Sequence, residues 1–212
     1  MFPARTPAAL KWLLPHALWR MPANEHALYL TFDDGPTAQV TPWVLDTLAA
    51  HGAKGSFFVL GRNAADHPGI LQRIRDEGHA VGNHTWDHRN GWQTPLPEYA
   101  ESIQRTQAIT RTRLFRPPYG RITWAQSRAL QDSYSVVMWD VLSFDFAVHI
   151  TGERCLRNVV RNARPGSIIV FHDSQKAEER LRYALPRVLD HFGRTGYRFL
   201  PLPENGVTAP PK

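Results

Sequence analysis

Short apolar runs alternate with helix-patterned stretches along almost the whole chain, and this alternation restricts the fold more than any other feature. Residues 27–32, 54–60, 79–82, 114–115, 134–139, 167–171 and 197–200 read as strands, brief runs carrying β-branched and aromatic residues. Residues 37–51, a stretch from Gly61 to about Glu77, then 97–112, 122–132, 151–163 and 176–192 carry helical patterns, with Gly52 and Gly78 as stops. Strands joined by helices pair in parallel through right-handed crossovers. About seven such units fit an α/β barrel of parallel strands as well as an open sheet. No Gly-x-Gly-x-x-Gly fingerprint and no phosphate loop follows the first strand, which lowers the nucleotide-binding open sheet. In a barrel, functional residues gather at the C-terminal ends of strands, so polar clusters are expected directly after strands.

At 212 residues, 42% hydrophobic and 21% charged, the chain has the size and composition of one soluble domain with a full core. Its expected organisation is an N-terminal extension over 1–26, a main domain over 27–202 and a flexible Pro-rich tail over 203–212. Residues 8–20 read as a short amphipathic helix packed on the domain. The single Cys155 excludes an internal disulfide and a multi-cysteine zinc site. The net charge of +6 comes from 21 Arg and 4 Lys scattered over predicted helices, and no nucleic-acid motif accompanies it. A solvated surface is therefore expected rather than a nucleic-acid partner. No apolar run reaches the roughly 18 residues of a membrane span. Trp12-Leu13-Leu14 is too short for the apolar segment of about 7–15 residues in an export signal. By default this places the chain in the cytoplasm or peripherally on a membrane through Trp12 and Trp19, and a monomer is expected.

Thr31-Phe32-Asp33-Asp34-Gly35-Pro36 follows the first strand. Adjacent strand side chains point to opposite faces, but a Gly-Pro turn at the strand end can bring both acids into one pocket. Two like charges so close call for a cation or an Arg nearby. After the third strand comes Asn83-His84-Thr85-Trp86-Asp87-His88. On a helical turn, His84 and His88 would share a face, and two imidazoles with one carboxylate make a recurrent catalytic zinc set. Asp87 is a rival ligand that such a turn would point elsewhere. After the fourth strand, Arg116-Pro117-Pro118-Tyr119 is a stiff loop able to hold an Arg against a carboxylate. Asp140 and Asp145 follow the fifth strand. His172-Asp173 follow the sixth, and a His there is a candidate general acid.

These motifs, in this order, resemble those of the polysaccharide deacetylases of carbohydrate esterase family 4, the NodB homology domain. The resemblance covers roughly residues 27–202 and implies a distorted (β/α) barrel. It implies that Asp34, His84 and His88 hold one divalent metal, usually zinc, with cobalt, nickel or manganese as alternatives. It implies that Asp33 is the general base for the attacking water and that Arg116 keeps Asp33 ionised. The Tyr119 backbone N–H would stabilise the oxyanion, and His172, oriented by Asp145, would protonate the leaving amine. The implied reaction removes an acetyl group from an N-acetylglucosamine-containing poly- or oligosaccharide and releases acetate. Peptidoglycan, chitooligosaccharide and poly-N-acetylglucosamine are the substrate options. The chemistry agrees, since amide hydrolysis needs an activated water, an oxyanion site and an acid for the amine.

Two positions depart from the family pattern. Leu142 stands where an Asp is common, and Phe146 stands where a Trp is common, which alters the acetyl pocket. Phe146 and Phe171 are the candidate apolar wall, and Trp86 and Trp92 are candidates for stacking on sugar rings. Two other functions use the same barrel. One is an O-acetyl esterase or small-molecule amidase with the same site; the other is a catalytically silent glycan-binding module, which would be expected to lack the base, a ligand or the acid.

Overall fold

Every side chain of the first strand, Ala27–Asp33, is buried on both faces, as a central parallel strand requires. The computed structural model describes residues 3–23 and 26–204. The elements run α1 (Ala8–Lys11), β1 (Ala27–Asp33), α2 (Val40–Ala50), β2 (Gly55–Val59), α3 (Gly61–Asp66), α4 (Pro68–Asp76), β3 (Ala80–Asn83), α5 (Leu96–Thr110), β4 (Leu114–Phe115), α6 (Trp124–Leu130), β5 (Ser135–Val136), β6 (Val141–Leu142), α7 (Gly152–Val160), β7 (Ile168–His172), α8 (Glu178–Arg194) and β8 (Arg198–Phe199). The sheet order is β5-β4-β3-β2-β1-β7-β6, with β8 added beside the start of β1. Every ladder is parallel, which makes a half-barrel with its helices outside.

Alternation along β1 separates two cores. Leu28, Leu30 and Phe32 pack outward with Phe57, Phe171 and the faces of α2 and α8. Ala27 and Tyr29 point inward with Phe58, Val137, Ile168 and Leu18. Further up the same inward face stand Thr31 and then Asp33, so the interior turns polar towards the strand ends. Truncating Phe32, wholly buried and stacked 4.9 Å from Phe57, would cost about 3–5 kcal/mol.

The structure departs from the sequence-based expectations at three places. The helix expected over 8–20 is only the four residues of α1. Residues 12–17 follow as turns, with Ala17 N–H bonded to Leu14 O, and the segment pairs with the sheet on either side of them. Leu18 bridges Val137, Arg5 bridges Val141 and Arg20 bridges Ser167. Backbone bonds from Leu18 to Val136 O, Met138 to Leu18 O and Leu142 to Ala4 O, each 2.8 Å, fill the seam where β5 and β6 do not pair. The N-terminal segment thereby covers edges that would otherwise be open. The helix expected up to Glu77 is two helices, because His67 precedes Pro68 and leaves the helical region at φ −128°, ψ 57°. The strand expected over 134–139 shrinks to β5, and an unforeseen β6 follows it. Of the expected tail, residues 205–212 lie outside the described residues. No helix among the described residues is long and apolar enough to cross a membrane.

Candidate active site

Asp33 ends β1 in register with His172 on β7, which sets an acid beside an imidazole on neighbouring strands. Asp34 follows with a left-handed backbone, φ 80°. That turn breaks the strand alternation and brings the second carboxylate round to the same rim. The turn is clamped from two sides. Asn63 Nδ2 donates to Asp34 O at 2.7 Å, and Gly35 N–H donates to Asp173 Oδ1 at 3.0 Å. A Cβ on Gly35 would lie 1.9 Å from Asp173 Oδ2, so only glycine fits against this acid.

The structure brings Asp34, His84 and His88 together. One ligand atom from each lies within 4.8 Å of the others. His88 Nε2 is 3.2 Å and His84 Nε2 3.7 Å from Asp34 Oδ1. Donors bonded to one ion at about 2.0–2.2 Å stand about this far apart. Asp34 Oδ1 is buried and has no aligned hydrogen-bond partner, as expected of an oxygen reserved for a cation. Burial alone would raise the Asp34 pKa. Contact with His88 and the charges of His172, His84 and His88 outweigh it and hold the carboxyl well below its usual range. Burial pulls His84 down to about 4, so it is the neutral imidazole a metal requires. Its Nδ1 faces Arg116 O at 2.8 Å, and the Nδ1–H donated there leaves Nε2 as the lone-pair donor.

The two histidines do not meet on a helical turn as the spacing suggested. Residues 84–88 form an irregular loop with Thr85 at φ 66° and His88 at φ 62°. Asn83 Oδ1 shapes it by accepting from Thr85 N–H at 2.9 Å. Asp87 is turned away and binds Arg89 and Ser102.

Behind the metal triad, Arg116 is completely buried with its guanidinium carbon 4.1 Å above the Phe58 ring. Its Nη1 donates to Asp33 Oδ1 and to Thr31 Oγ1, each at 2.7 Å. Its other donors reach Val137 O and Met138 O at 3.2 and 3.1 Å. This fork fixes Asp33 in one orientation and satisfies the buried cation. On the other side, His172 Nδ1 lies 2.7 Å from Asp145 Oδ1, and the His172 backbone N–H donates to Oδ2 at 2.7 Å. Burial disfavours the imidazolium, but the adjacent Asp145 carboxylate outweighs burial and raises His172 to about 9. Arg180 Nε donates to Asp145 O at 2.5 Å and Ser143 Oγ accepts from Asp145 N–H at 3.3 Å, so the Asp145 loop is itself held.

Tyr119 has φ 60°, and its exposed ring stands edge-on 4.4 Å from His88. Phe146 stands edge-on 5.1 Å from His172, beside the acid. Phe171 is not brought to the site. It alternates with His172 on β7 and is buried in the outer core. Trp86 packs into the scaffold, with Arg105 over its ring at 3.6 Å and Gly61 against its edge. Asp140 is not at this rim either, because β6 intervenes between it and Asp145. Sequence reasoning assigned no role to Asp173, whose carboxylate accepts from both Gly35 N–H and Thr41 Oγ1 and is pushed up by burial to about 7. Its place directly after His172 at a strand mouth was the available signal. Arg180 gave none, since it sits among many helix-face arginines. Among the described residues, five of the six non-glycine residues with positive φ lie in these site loops (Asp34, Thr85, His88, Tyr119 and Phe144).

The sequence profile for "Polysaccharide deacetylase" matches residues 20–135. A peptidoglycan-N-acetylglucosamine deacetylase of Bacillus cereus is 35% identical over 190 residues, covering 86% of this chain and 69% of that protein. A chitooligosaccharide deacetylase of Azorhizobium caulinodans is 32% identical, covering 87% of this chain and 96% of that protein. The crystal structure of a peptidoglycan N-acetylglucosamine deacetylase superposes with a TM-score of 0.87 at 32% identity, over 96% of this chain and 98% of that one. The chain belongs to the polysaccharide deacetylase family, whose members are metal-dependent.

Proposed function

We propose that this member of the polysaccharide deacetylase family hydrolyses the acetamide of N-acetylglucosamine residues in a glycan, releasing acetate and leaving a free amine. What carries this reading is the convergence, at one barrel rim, of a cation-ready triad, an Arg-held carboxylate and a carboxylate-held imidazole. The named activities of the relatives support the same class. A glycan-binding module without catalysis has no use for a buried Arg116–Asp33 pair opposite a His172–Asp145 pair.

Asp34, His84 and His88 would hold one divalent ion, and zinc suits this carboxylate and imidazole set. When bound, that ion supplies Lewis acidity, acidifying water and polarising the acetyl carbonyl. Asp33 takes the proton of the attacking water, with Arg116 fixing the oxygen that does not. The Tyr119 backbone N–H donates to the developing oxyanion, a contact worth about 2.7–4 kcal/mol for a well-placed donor. As the C–N bond breaks, its electron pair goes to nitrogen and His172 delivers the proton there. Asp145 holds the ring by Nδ1, so Nε2 is the atom that faces the substrate. At neutral pH a pKa near 9 keeps that proton loaded. The need for a loaded acid favours an amide over an ester, because an alkoxide can leave without a proton whereas an unprotonated amide nitrogen cannot. Phe146 forms part of the apolar wall beside the acid.

The test is acetate release from a panel of acetylated glycans with added divalent metals. Acetate should appear with at least one N-acetylglucosamine glycan, vanish on chelation and return with zinc. Replacing Asp33 by Asn should abolish turnover while metal content stays at one ion per chain. Loss of the metal instead would exchange the roles of the two aspartates.

A further inference from the structure

Beside the metal triad lies an exposed aromatic and cationic surface that the hydrolytic chemistry does not use. The Tyr119 ring leads outward from His88. The Arg121 guanidinium carbon stands 5.8 Å from that ring and 5.1 Å from the Trp92 ring. Trp92 is 64% and Tyr119 60% exposed, so both present open ring surface to solvent. No carboxylate pairs with Arg121 among the described residues; its only side-chain partners there are the two rings.

The surface is built, not incidental. Trp92 Nε1–H donates to Ile122 O at 3.3 Å, which fixes the indole. Gly91 is buried so closely that a Cβ would lie 2.4 Å from Arg121 O. Gln126 Nε2 donates to Gly91 O and Thr94 O, each at 2.9 Å, tying residues 91–94 to the Arg121 loop. The Trp92 turn and the Arg121 loop thus form one rigid unit that continues from the metal ligand His88. Pyranose rings stack on open aromatic faces, and an unpaired guanidinium is the strongest side-chain fork for a carboxylate.

From this surface we infer that Trp92, Tyr119 and Arg121 form a subsite for a neighbouring sugar that carries a carboxylate. Arg121 thereby selects N-acetylated glycans whose neighbouring sugar bears a free carboxylate, as in peptidoglycan strands without stem peptides, over neutral N-acetylglucosamine oligomers. This rests on the deacetylase reading and names its substrate class. The test uses full-length, zinc-loaded protein and two glycans. One is a muramidase-released peptidoglycan oligomer stripped of its stem peptides by an amidase, so that the lactyl carboxylates on its sugars are free; the other is the same oligomer with those carboxyls capped as amides. Calorimetric Kd values are measured on the Asp33→Asn protein, which cannot turn either glycan over, with and without Arg121→Gln. KM and kcat are measured on the otherwise native chain.

The expected result is a Kd and KM for the free-carboxylate glycan raised about threefold to tenfold by Arg121→Gln, with the amidated glycan changed less than twofold. Arg121→Lys should retain part of the discrimination. Trp92→Ala should weaken both glycans alike, since stacking ignores charge. Equal changes for both glycans with Arg121→Gln, no change for either, or no binding of either to the parent protein overturns the subsite. A carboxylate preference in Kd without acetate release from any glycan leaves the subsite standing and overturns the deacetylase reading alone.

Discussion

Asp140 and Asp145 are five residues apart, both fully buried, and they stand at opposite ends of the barrel. Between them lies β6, the two residues Val141 and Leu142, which climbs from one rim to the other. Asp140, below β6, accepts from Ser167 Oγ at 2.7 Å and meets Lys11 at 3.1 Å, Arg5 at 3.7 Å and Arg164 at 4.0 Å. Three cations, two of them from the N-terminal segment, converge on one carboxylate and tie that segment across the seam. Asp145, above β6, spends both oxygens on His172. The lower acid holds the chain closed, and the upper one holds a proton in place. Burial and residue type are identical, so partners alone decide which carboxylate stabilises the fold and which serves the reaction.

The largest expected effect comes from breaking the upper pair. Asp145→Asn should lower kcat for acetate release by about 10²–10⁴-fold, the range of a general acid, while metal content is unchanged. If kcat moves by less than tenfold, His172 does not depend on Asp145. The pH profile sharpens the same contrast. His172 is raised from its ordinary 6.5 to about 9, so activity should fall as pH passes about 9, and Asp145→Asn should move that limb to lower pH. Stability follows the same sign. A group raised in the folded state stabilises it fully below about pH 6.5 and loses that contribution as pH rises through about 9. Tm of the wild type should therefore decline over this window more than Tm of Asp145→Asn.

At the lower end the expected effect is on stability. Asp140→Asn should cost about 1–3 kcal/mol in denaturant unfolding, because it leaves partly exposed cations without their buried partner. Its kcat should stay within twofold of wild type; a larger drop would mean that the two ends communicate. The smallest effect is for Lys11→Met, which removes one of three cations and should cost no more than about 1 kcal/mol, less in high salt.

Much of the candidate site could be read in the sequence because its residues sit directly after strands, and strands announce themselves locally. Asp33-Asp34, Arg116 and His172 each follow a short apolar run. His84 and His88 do meet at one ion site, but not by the helical turn that their spacing predicts. Asn83 and two left-handed residues, Thr85 and His88, shape the loop instead. Phe171 lies in the outer core and not in a pocket wall, because alternation along β7 alone does not say which face meets the site. Once His172 is known to point to the site, Phe171 must point to the helices.

By itself the sequence determined the α/β alternation, the strand ends and the chemistry gathered on them, since side-chain period and turn residues act over a few positions. Only the tertiary structure decided what a two-residue β6 separates, where residues 3–21 lie, and that Arg121 meets no acid among the described residues. β6 is too short to register as a period, and its existence depends on pairing with β7. The N-terminal segment becomes part of the sheet only because β5 and β6 leave a seam for it. A charge is paired or free according to neighbours far away in the chain, and no local pattern encodes that distance.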